Sequence, residues 1–117
     1  MIVTGKSADV KAIDLHDGKS VLHAIKRVLI GRNQGAQNFA MRRFTLGEGG
    51  CSPRHTHPYE HEVYVLAGKG AVRSDGVEVR LAPGDYVFVP PSDDHQFVNA
   101  GTEPFEFICV VPAGTEE

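Results

Sequence analysis

At 117 residues the chain is the size of one average domain, long enough to bury roughly two thirds of its unfolded surface around a single core. Its 41% apolar and 23% charged residues are those of an ordinary globular protein, and no apolar run approaches the ~20 residues that a membrane-crossing helix needs. A formal net charge of −3, with Lys and Arg scattered apart from the pair Arg42–Arg43, leaves no basic stripe for nucleic acid. The first residues, MIVTGKSADVKAIDL, lack a secretory pattern because Lys6, Asp9 and Lys11 interrupt any apolar block, so the cytoplasm is the expected compartment. In a reducing compartment Cys51 and Cys109 are expected to be free thiols.

Thirteen glycines and seven prolines cut the chain into pieces of strand length, a rhythm that predicts an all-β sandwich or barrel. Residues 20–30 fit either helical spacing, through Val21, Ile25, Val28 and Leu29, or a strand ending at Gly31; strand is preferred. The polar stretch 31–36 reads as a loop, and 37–46 as the next strand. Strands are further expected at 61–67, 86–89, 95–98 and 105–111, each rich in β-branched or aromatic residues. Between them, 70–81 reads as a hairpin whose Asp75–Gly76 dipeptide suits the two positive-φ positions of a type I′ turn. The tail 113–117 is expected to fray.

Four of the six histidines fall in two places, HTHPYEH at 55–61 and His95 after PPSDD. Alternation along an extended segment puts His55 and His57 on one side, where two imidazoles can grip one ion. His61 shares its face with Val63, Val65 and Ala67, so it points inward if they do. Imidazole nitrogen suits several divalent transition metals, and a nitrogen-only set does little to choose among Mn, Fe, Zn and Ni. Isolated histidines such as His16 and His23 read as structural.

Two motifs make the chain resemble the cupins. The first is a glycine, five residues, His-x-His, a further ligand and, six residues on, a glycine: here Gly49, His55-Thr-His57, His61 and Gly68. The second is a glycine, five residues, Pro-x-Gly, two residues, His, three residues and Asn: here Gly84, Pro90, Ser92 in the place of glycine, His95 and Asn99. The motifs lie at 49–68 and 84–99, preceded by N-terminal strands and a loop over 1–36 within a single cupin domain, 1–117. The resemblance implies a jelly-roll β-barrel, a double-stranded β-helix, holding one divalent transition metal (Mn, Fe, Zn or Ni) on His55, His57, His61 and His95. The family usually has a glutamate near position 61; counting from Gly68 selects His61, and counting on from His57 selects Glu62, with parity favouring His61. A metal held by four nitrogens keeps one or two positions for a small oxygen-rich ligand such as a carboxylate, diketone or sugar acid.

The activity so implied is dioxygenase-like, with non-catalytic small-molecule binding or sensing, or a sugar-acid isomerase or decarboxylase, as alternatives. Glu60 and Glu62 are the carboxylates nearest the cluster, and parity turns both away from His61. Arg42 and Arg43 face opposite sides of their strand, so one should enter the barrel, answered by a ligand carboxylate or, the stronger reading, by a structural one such as Glu48 or Asp85. Arg43 and Tyr59 are the candidate ligand-binding residues. Phe44, Tyr86, Phe88, Phe97, Phe105 and Phe107 read as core or interface. Uncovered sheet edges make a homodimer the expected assembly.

Overall fold

The structure is a computed structural model and describes residues 1–116. Nine strands run in order: β1 (Ile13–Asp14), β2 (Leu22–Ile30), β3 (Phe39–Cys51), β4 (His61–Ala67), β5 (Gly70–Ser74), β6 (Val77–Leu81), β7 (Tyr86–Val89), β8 (Gln96–Asn99) and β9 (Phe105–Pro112). They form one antiparallel sheet in the order β6-β5-β8-β3-β9-β4-β7, with β2 also on β3 and β1 on β2. The sheet curls on itself because β3 serves both halves. Its first part pairs with β9 from Phe39↔Pro112 to Leu46↔Phe105, and its end reaches β8 at Cys51↔Val98. This is the expected all-β jelly-roll.

Burial follows alternation. In β9 every second residue from Phe105 to Val111 is buried, and in β4 His61, Val63 and Val65 point inward while Glu62, Tyr64 and Leu66 do not. Phe105 and Phe107 are fully covered, and Phe107 lies against Phe44 at 5.2 Å and Phe97 at 4.8 Å between ring centroids. This aromatic layer is the floor beneath the histidines. Fully burying side chains of this kind contributes roughly 1.5–3 kcal/mol each relative to exposure.

The ambiguous stretch 20–30 is strand β2, and the 70–81 hairpin is closed by Asp75 at φ 50° and Gly76 at φ 76°, as a type I′ turn requires. Tyr86 and Phe88 are not core residues. The register His61↔Val89 gives Val87 and Val89 the inward positions, so Tyr86 and Phe88 lie on the outer face, 83% and 54% exposed. Nor does the tail fray as far as Glu116. Its carboxylate accepts from the backbone N–H groups of Arg32 and Gly114, and its carbonyl accepts from Lys26 Nζ, fastening the chain end across the barrel; Glu117 lies outside the described residues. No helix is long and apolar enough to cross a membrane among the described residues.

Candidate metal centre

Each motif builds one wall of a cavity of about 300 Å³ that opens at one end of the barrel. His55 and His95 are bound to each other through the backbone, each N–H donating to the other's carbonyl at 3.1 Å. Their rings are thereby held 4.8 Å apart. His57 follows two residues after His55 on the same side, and the two Nε2 atoms approach to 3.1 Å. The loop carrying His57 is pinned by the Ser92 N–H, which donates to its carbonyl. Ser92 holds φ 69°, the left-handed conformation that explains why glycine usually occupies this position in the motif. At the far end of β8 Asn99 ties the strand to its neighbours, its Nδ2 donating to the carbonyls of Leu46 and Glu103 at 2.9 Å.

One ligand atom from each of His55, His57 and His95 lies within 4.8 Å of the others, a group that could hold an ion. Of the four expected histidines the structure brings three together as a candidate ligand group, and His61 lies beside them, outside that group. The His61 ring lies 4.9 Å from that of His95 and 5.0 Å from that of His57. Its Nε2 is buried without a partner, and its Nδ1 meets Cys109 Sγ at 3.3 Å. With the proton on Nδ1 donated to the sulfur, Nε2 keeps a free lone pair for the cavity. His95 is arranged alike, its Nδ1 facing the Asp93 carbonyl at 3.0 Å. Glu62, the rival to His61, sits on the outer face of β4 opposite Phe88.

The environment favours neutral imidazoles. Burial first, then the positive fields of His57, His95 and Arg42, pushes His55 down to about 4. Burial and then Arg42 push His61 down to about 3, and burial lowers His57 as well. Neutral imidazole is the form that binds metal. An orphaned buried Nε2 beside three converging rings fits a cation, and the donor set suits a first-row divalent metal.

Tyr59 lines the cavity, stacked on His57 at 4.7 Å between centroids. Arg43 does not. It faces the outer side of β3, where it donates to Glu106 at 3.0 Å and Ser7 Oγ at 3.1 Å. The inward arginine is Arg42, flanked by Ala40 and Phe44 on the same face, and neither Glu48 nor Asp85 answers it. Asp85 instead accepts from the Ala82 N–H in its own turn. Sequence reasoning also passed over Cys109 and Lys26, which line the cavity from β9 and β2. Their alternation with Phe107 and Ala24 was the available signal.

The cupin domain family matches residues 42–111. The chain is 30% identical to the polyketide cyclase RemF from Streptomyces resistomycificus, whose structure superposes with a TM-score of 0.86 over 96% of this chain and 80% of that one. A cupin-2 domain from Rhodospirillum rubrum superposes with a TM-score of 0.83 at 25% identity, covering 100% of this chain and 78% of that one. Among curated relatives, glucose-6-phosphate isomerase of Pyrococcus furiosus is 33% identical over 105 residues, 80% of this chain and 56% of its own length. An oxalate-binding protein of Thermotoga maritima is 31% identical over 70 residues, 59% of this chain and 58% of that protein. The chain spans little more than half the length of the curated relatives it matches. From strand order, motif geometry and a family match over most of its length, the chain belongs to the cupin family.

Proposed function

We propose that the barrel is a metal-dependent site for a small oxygen-rich ligand, with a divalent transition metal (Mn, Fe, Zn or Ni) held by His55, His57 and His95 and completed by His61 Nε2. The observation that carries this reading is that ligand nitrogens of His55, His57 and His95 lie within 4.8 Å of one another, with the buried His61 ring beside them and its Nε2 unpartnered. The bound metal would act as a Lewis acid toward ligand oxygens. Burial holds His55, His57 and His61 toward the neutral form that can ligate, and Tyr59 stands at the wall. An oxalate-binding protein among the relatives supports a carboxylate as ligand.

The experiment is thermal unfolding of Mn-loaded and chelator-treated protein with and without oxalate. Oxalate stabilising only the metal-loaded form is the expected result. Equal stabilisation of both forms would overturn metal dependence. Turnover of the dioxygenase kind is a second reading, favoured over isomerisation because no carboxylate lines the cavity among the described residues. It predicts oxygen uptake by Fe- or Mn-loaded protein with a diketone or phenolic substrate. We place the protein in the cytoplasm on its two free cysteines, and in a homodimer on the outer apolar patch of Tyr64, Tyr86 and Phe88.

A further inference from the structure

No acidic side chain lines the cavity among the described residues. Arg42 and Lys26 line it together with the four histidines, aromatic rings and the Cys109 thiol. The Arg42 guanidinium lies 4.9 Å from the Phe44 ring centroid, which fixes its plane along the wall. Its Nη2 donates to Cys109 Sγ at 3.1 Å and stands 3.5 Å from His61 Nδ1. Neither neighbour is a carboxylate. The remaining buried donor, Nε, has no partner.

Arg43, one residue on, shows what this chain does with a structural arginine: it places Glu106 3.0 Å away. No carboxylate pairs with Arg42 among the described residues. A guanidinium cannot shed its charge, so a half-buried one without an anion is costly to keep. It stays favourable where a ligand supplies the anion. The position is suited to that, because His61 touches Arg42 on one side and the His57 and His95 rings on the other.

We propose that Arg42 is the anion anchor of the cavity, pairing with a carboxylate of a small ligand whose other oxygens face the histidine centre. The ligand class is thereby narrowed from oxygen-rich molecules in general to small anionic ones, dicarboxylates and keto- or hydroxy-carboxylates, over neutral diketones and sugars. A planar carboxylate matches the guanidinium fork. This inference rests on the metal-site reading for the position of the second set of ligand oxygens, and on Arg42 alone for the charge.

The test is titration calorimetry of Mn-loaded wild type, R42Q, R42K and R43Q with oxalate and with its neutral counterpart oxamide, each protein's metal content being measured alongside. Wild type should prefer oxalate. R42Q should weaken oxalate binding by about tenfold or more while leaving oxamide binding and metal content as they were. R42K should recover part of the affinity, since it restores charge without the fork, and R43Q should match wild type. Wild-type oxalate affinity in R42Q would overturn the proposal, as would equal losses for oxalate and oxamide at full metal content. If wild type holds none of Mn²⁺, Fe²⁺, Zn²⁺ and Ni²⁺, the metal reading fails by itself. The anchor is then read in metal-free protein, where R42Q must still erase the stabilisation by oxalate for the proposal to stand.

Discussion

Acidifying the metal-free protein from pH 7 to pH 5 should weaken it through its interior histidines. In the folded state His61 is held down to about 3 and His55 to about 4, against an ordinary value of 6.5 in the unfolded chain. The unfolded state therefore takes up protons first as the pH falls, and stability is lost from about pH 6.5 downward until the folded-state values are reached. At pH 5 the loss is about 2 kcal/mol from His61 and up to about 2 kcal/mol from His55, whose partial exposure lets solvent reduce its share. His57, also lowered, acts in the same direction. The carboxylates held low, Asp94 by Arg54 and Glu78 by Arg73, keep their contribution above their unfolded values near 4, so pH 5 separates the two kinds of group. Urea unfolding of chelator-treated protein at pH 7 and pH 5 measures the difference, and H61Q should recover about half of it. A stability that does not change between the two pH values, or a change that H61Q leaves untouched, would refute the assignment of neutral buried imidazoles.

Two further predictions concern the frame of the barrel. At Gly70 an added Cβ would overlap the Phe105 ring, which is fully buried and cannot yield, so G70A should destabilise by about 1–3 kcal/mol in denaturant unfolding. Wild-type stability would show that β5 can retreat from the aromatic floor. N99A removes the donor to the Leu46 and Glu103 carbonyls and the acceptor of the Gly101 N–H, and should cost about 1–3 kcal/mol while leaving metal content at its wild-type level.

The features legible in the sequence are those set by local alternation and turn chemistry. Asp75–Gly76 dictates its hairpin, and the placing of His55, His57 and His61 follows from one-residue parity within short segments. What escaped needs partners far apart in sequence. The Arg42–His61–Cys109 contacts exist because β9 lies between β3 and β4, with Cys109 opposite Arg42 on one side and Val63 on the other. Nothing near residue 42 announces that. The choice of Arg42 over Arg43 was nearer to hand: Ala40, Phe44 and Leu46 share its parity and are all buried, but Phe39 and Met41 give the opposite face an apolar signal of its own. For Tyr86 and Phe88 aromatic character left core and interface both open, and the register with β4 gave the inward places to valines. The tail is ordered as far as Glu116 by a carboxylate reaching 84 residues back to Arg32, which composition cannot show.

The central claim is that the histidines hold a metal, and elemental analysis of the purified protein tests it most directly. Wild type loaded with Mn²⁺ or Zn²⁺ and desalted should retain close to one ion per chain, and H57A and H95A should retain essentially none. Folded variants that keep the full metal content, or a wild type that retains no metal after loading, would contradict the account.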